Sequence, residues 1–200
     1  MNLFRKAGKE MSVITPLNSV FLMFCLAGGV FAQPAITAKG IVNAASYISP
    51  DLPAGSIAQG SIFTIFGNNF GPTTGVKASS FPLLTSLAGL SVKISQGAGS
   101  WDAIPLFVNA TQINAIMPSS TPLGLVSVTV TSATPKATSA PVSVTVVKSS
   151  LGIFTAKSSG LGPGILQNFI STAEQPLNST LKTAKPRQVV TLWATGPWTG

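Results

Sequence analysis

GSIFTIFGNNFGP, residues 60–72, reads as a β-strand that runs into a Gly/Asn turn. Along a strand the side chains alternate between the two faces, so Ile62, Thr64 and Phe66 share one face and Phe63 and Ile65 the other. Both faces are largely apolar, which suits a strand inside a sheet better than a half-wet edge. Gly67, Asn68, Asn69 and Gly71 are residue types that tolerate positive φ, and Pro72 cannot continue a ladder. This reading places Phe66 in the core, so Phe66→Ala is expected to cost about 3–5 kcal/mol. A weaker copy, QVVTLWATGP, begins at Gln188, with Val189, Thr191 and Trp193 in the places of Ile62, Thr64 and Phe66.

The strands around this stretch have the same character. Ile41 to Tyr47 (IVNAASY) forms a short strand ahead of a turn-rich approach that contains Pro50, Pro53 and Gly55. Leu90, Val92 and Ile94 alternate with Ser91 and Lys93 as in a half-buried strand, and Gln96 to Ser100 is a turn. Ala103 to Val108 is a strand interrupted by Pro105, which puts it at an edge or gives it a bend. In TQINAIMP, Ile113, Ala115 and Met117 alternate with Gln112, Asn114 and Ile116. Val126, Val128 and Val130 alternate with Ser and Thr, and so do Val142, Val144 and Val146. That pattern describes a hairpin with one wet face. No helical apolar period is sustained after Ala32, so short strands joined by turns point to a sandwich.

Composition narrows the function. The chain is 45% hydrophobic but only 8% charged, against roughly 25% charged in an average soluble domain. Low charge with many β-branched residues is opposite to the disordered signature. The formal charge is +8, yet beyond Ala32 only Lys182, Lys185 and Arg187 cluster. A nucleic-acid partner, which needs a dense basic face, is therefore not expected.

Residues 1–32 read as a signal peptide: Arg5, Lys6 and Lys9 precede the apolar run Val20 to Phe31, and Val30-Phe31-Ala32 makes a small-x-small cleavage site. The run is far shorter than the roughly 20 residues that span a bilayer, so no stable membrane insertion is expected after cleavage. Cys25, the only cysteine, lies within that run, which leaves the exported chain without thiols or disulfides.

Acid/base catalysis needs a positioned base or paired carboxylates. The chain has no histidine, and Asp51, Asp102 and Glu174 are far apart in sequence. No catalytic residue, metal ligand or cofactor site is expected. Trp101, Trp198 and Tyr47 are candidate aromatic platforms for a sugar or a partner, set against the commoner reading of large aromatics as caps over a sandwich end. The ligand contacts singled out are Trp101 and Trp198. Gln112 and Asn114 could form a polar face, although such side chains more often hold loop backbone.

The turn Gly67-Asn68-Asn69-Phe70-Gly71 resembles that of IPT/TIG-like immunoglobulin-fold domains. The order of IVNAASY, GSIFTIFGNNFGP, PLFVNATQINAIMP, LGIFT and QVVTLWATGP is similar to an uncharacterised C-terminal β-sandwich module of secreted bacterial proteins. The resemblance implies an immunoglobulin-like β-sandwich and export, and no activity. That family continues beyond its second organising strand, so this chain is expected to be a fragment. The expected plan is a leader at 33–40, a sandwich at 41–147, a joint at Lys148 to Ser150, and the start of a second, truncated β domain over 148–200. The expected function is a non-catalytic extracellular or cell-surface spacer or adhesion module with a protein or glycan partner. A carbohydrate-binding accessory domain is the alternative.

Overall fold

The computed structural model describes residues 33–196. The expected signal peptide with Cys25, and Trp198, lie outside the described residues. Within them the chain is all-β, with no helix. Strand β3 (Ile62–Asn68) sits inside a five-stranded sheet of order β1 (Ala35–Asn43), β3, β9 (Gln112–Ile116), β8 (Ile104–Val108) and β4 (Val76–Lys77). A second sheet runs β2 (Ile57–Ala58), β12 (Val142–Val147), β10 (Gly124–Ala133), β6 (Leu90–Gln96) and β5 (Ser86–Leu87). In it β11 (Lys136–Thr138) pairs with β10 and β7 (Gly99–Asp102) with β6. All these pairings are antiparallel except β2 with β12.

The two sheets enclose one core. Ile41, Phe63, Ile65, Val108, Ile113 and Ala115 come from the first, and Leu90, Val92, Ile94, Val126, Val128, Val130, Val144 and Val146 from the second. The inward positions are those the period-2 pattern selects, because only one set of alternating side chains can leave water. The arrangement is a β-sandwich. Pro105 produces the bend: the β8–β9 register shifts between Pro105 and Phe107, which leaves Leu106 as an extra residue.

Four expectations need correction. Phe66 does not enter the core; Phe63 and Ile65, both 0% exposed, do, while Phe66 is half-buried on the outer face. Of the turn residues only Asn69 takes positive φ, at 60°. Gly67 is needed for space instead, since a Cβ there would lie 2.2 Å from the Phe70 ring and 2.1 Å from the Ala35 carbonyl. Phe70 folds back under the turn into the core. The third correction concerns the leader: Ala35 and Ile36 already pair with Asn68 and Gly67, so most of it belongs to β1, with an irregularity between Ile36 and Ile41. Conversely β1 stops at Asn43, and Ala44 to Tyr47 turn away from the sheet.

The fourth correction concerns residues 148–196, which belong to the same compact unit as the sandwich. They hold two small antiparallel ladders, β13 (Gly152–Ile153) with β16 (Ala194–Thr195), and β14 (Leu166–Asn168) with β15 (Val190–Leu192). Trp193 interrupts the second copy of the organising strand, so that copy divides between the two ladders. Its Val189, Leu192 and Trp193 are exposed, unlike the buried Phe63, Thr64 and Ile65. Two-stranded ladders this short are marginal alone, so the segment depends on the sandwich for its order.

These facings predict that Phe63→Ala lowers the unfolding free energy by about 3–5 kcal/mol, whereas Phe66→Ala costs less than about 2 kcal/mol. Urea denaturation of the full chain measures both; equal losses would contradict the assignment of faces.

Candidate functional site

A strand apolar on both faces needs cover on both, and the second sheet covers only one face of β3. The other face belongs to the outer surface of the first sheet. Across it run Ile62, Ile116 and Ile104 in one row, Val42, Thr64, Asn114 and Phe107 in the next, and Phe66 with Gln112 in a third. A polar strip crosses this apolar field. The Thr64 hydroxyl donates to Asn114 Oδ1 at 3.0 Å, and Gln112 Nε2 donates to the same oxygen at 2.8 Å. Asn114 Nδ2 and Gln112 Oε1 have no hydrogen-bond partner among the described residues.

The segment 148–196 closes one end of this face. Ala44 N donates to Ile62 O at 3.2 Å, the last rung between the first chain segment and β3. The reciprocal donor, Ile62 N, turns instead to Thr195 Oγ1 at 2.7 Å. A buried backbone donor without an acceptor would cost about 1–3 kcal/mol, so Thr195 fixes the segment where the ladder ends. The joint is tied as well. Asn43, fully buried, accepts from Ala45 N at 2.9 Å and Ser46 N at 3.2 Å, and its Nδ2 donates to Ser150 O at 3.0 Å. Ser150 N donates to Gly196 O at 3.0 Å and Ser150 Oγ to Ala54 O at 3.2 Å. Gly160, at φ 73°, lies against the Ser46 carbonyl, from which an added Cβ would be only 2.0 Å away.

Between the segment and the sheet lies a trough. One cavity of about 480 Å3 is walled by Tyr47, Leu106, Gln112 and Asn114, and a neighbouring one of about 500 Å3 by Ile165, Gln167, Leu177 and Trp193. Ile62, Phe154, Thr155 and Ser158 line both. Trp193 is 51% exposed but held: its N donates to Ile165 O at 3.1 Å, its O accepts from Phe154 N at 3.0 Å, and its Nε1 donates to Gln167 Oε1 at 2.6 Å. Tyr47 has φ 53° and its ring centroid lies 6.1 Å from that of Phe66. No lining residue carries a charge at neutral pH.

The sequence-based candidates fall differently. Trp101 is half-buried on β7, with its indole against Gly99, and is not part of the trough. Tyr47, Gln112 and Asn114 come together in it. Trp193 enters the sequence reading only as a residue of the second strand copy, and Phe154 only as part of the LGIFT stretch, neither as a site residue. The signal that marks them is a run of apolar residues in a segment with too little strand to bury them. Of the acids, Asp51 pairs with Lys39, and Asp102 with Lys93 at 3.0 Å, all on the surface. Among the described residues no three His, Cys, Asp or Glu side chains gather as metal ligands. No helix there is long and apolar enough to cross a membrane. No family model, no curated protein and no solved structure matches the chain.

Thr64→Val removes one of two bonds to Asn114 and is expected to cost about 1 kcal/mol, whereas Asn114→Ala strands the buried Thr64 hydroxyl and costs about 1–3 kcal/mol. A double-mutant cycle by chemical denaturation should give a combined loss smaller than the sum, and strict additivity would contradict the coupling.

Proposed function

We propose that this chain is a non-catalytic, exported interaction or structural module, an immunoglobulin-like spacer or adhesion domain of an extracellular or cell-surface protein. The observation that carries this reading is where the buried polar side chains direct their hydrogen bonds. Asn43, Ser61, Ser139, Ser150, Thr155, Asn168 and Thr195 all engage main-chain groups, Thr64 engages Asn114, and the Thr121 hydroxyl has no partner, basic or otherwise, among the described residues. Such groups lock turns and joints, and a nucleophile would instead be directed at a base. The carboxylates of Asp51 and Asp102 face lysines at the surface, an arrangement suited to solubility more than to proton transfer. A sandwich tied firmly to the segment that follows it suits a module that holds or spaces others. Its partner is a protein or a glycan, and export follows from the N-terminal signal pattern.

The purified full chain, incubated with fluorophosphonate probes and chromogenic ester and peptide substrates, is expected to remain unlabelled and inactive. Stoichiometric labelling of one serine, lost on its replacement by alanine, would overturn the non-catalytic reading.

A further inference from the structure

The trough between the outer face of the first sheet and residues 150–196 combines features that point to one class of ligand. Each of its two cavities, about 480 and 500 Å3, is within the range of roughly 300–1,000 Å3 that accommodates small ligands. Its walls carry three aromatic side chains, Tyr47, Phe154 and Trp193, from both parts of the fold. Aromatic rings offer flat apolar surfaces to C–H groups, and a Trp that is half-exposed yet fixed loses little freedom on binding. Asn114 Nδ2 and Gln112 Oε1, unpartnered among the described residues, provide a donor and an acceptor in the cavity that Tyr47 and Phe154 also line, and Ser158 lines both cavities. Charge is absent from the lining, so an anionic or cationic ligand would find no counter-ion there.

We propose that this trough binds a neutral carbohydrate. One sugar unit stacks by its C–H face on Trp193 in the second cavity, Phe154 continues the apolar wall into the first, and the hydroxyls of the adjoining unit there meet Asn114 Nδ2 and Gln112 Oε1 beside Tyr47. The site differs from the tryptophan Trp101 that the sequence suggested. It depends on the docking of 150–196, because Trp193 and Phe154 come from that segment while the amides come from β9. This inference rests on the interaction-module reading and names its partner class; if it fails, the non-catalytic module stands with a different partner.

The test is isothermal titration calorimetry of the purified full chain against soluble neutral oligosaccharides (cello-, xylo-, laminari-, malto- and chito-series), with oligogalacturonate as the charged comparison. Saturable binding of at least one neutral series is expected. Trp193→Ala and Gln112→Ala should each weaken it about tenfold or more, Trp193→Phe should retain most of it, and Trp101→Ala should leave it unchanged. Circular dichroism melting of each variant establishes that the fold is intact. Absence of binding to every neutral series, binding of the charged oligosaccharide alone, or neutral binding that survives both Trp193→Ala and Gln112→Ala would each overturn the proposal. Should Trp193→Ala not fold, Gln112→Ala and protection of Trp193 fluorescence from acrylamide by the bound sugar, read in a Trp101→Phe, Trp198→Phe background that leaves Trp193 as the one tryptophan, decide the matter.

Discussion

Strand Ile62–Asn68 has apolar side chains on both faces, and that constraint organises the molecule. Phe63 and Ile65 enter the core between the two sheets, but Ile62, Thr64 and Phe66 also need cover, and no second sheet lies on their side. Burial of large side chains is worth roughly 1.5–3 kcal/mol each, enough to draw a following segment onto the bare face. Hydrogen bonding fixes where it lands. The Ile62 amide loses its ladder acceptor when the first strand ends at Asn43, and Thr195 Oγ1 takes its place at 2.7 Å. From this follow the docking of residues 150–196, the ties through Asn43 and Ser150, and the trough left where the cover is incomplete.

The incomplete cover has chemical consequences. The two ladders of the following segment are too short to bury both of their own faces, so Leu177, Val189, Leu192 and Trp193 stay exposed. Leu177 and Trp193 line a cavity that adjoins the one walled by Asn114 and Gln112, with Ile62, Phe154, Thr155 and Ser158 common to both. An apolar wall facing a pair of unpartnered amide groups is the setting in which a neutral polar ligand can be both stacked and hydrogen-bonded. Rigid backbone bonds on both sides of Trp193 mean that the wall exists before anything binds.

Much of the sandwich was legible in the sequence because period-2 alternation is a direct consequence of burying one face. Val126 to Val130, Val142 to Val146, and Ile113, Ala115 and Met117 all face as the pattern requires. Where both faces are apolar the pattern loses its phase, which is why Phe66 and Phe63 exchange roles. Gly67 was read for its dihedral freedom, whereas its neighbours Phe70 and Ala35 show that it is there for room; close approach between distant residues leaves no local trace. The second copy of the organising strand carries similar residues but breaks at Trp193, where its pairing passes from β14 to β13, a change of partner set by the surrounding chain and not by strand propensity. Of the trough, Gln112, Asn114 and Tyr47 stood out as residue types. Their meeting with Phe154 and Trp193 depends on the Ile62–Thr195 and Asn43–Ser150 contacts, which join residues more than a hundred positions apart and have no sequence signature.

The central claim is that residues 150–196 are anchored at the end of the organising strand, beside its open face, through the Ile62 amide. Hydrogen exchange at that amide tests it most directly. The account predicts that Ile62 N–H is protected as strongly as the neighbouring sandwich amides in the intact chain, and that Thr195→Val selectively abolishes this protection while the core amides of Val92 and Val128 keep theirs. Fast exchange of Ile62 in the unaltered chain, with the core still protected, would contradict it.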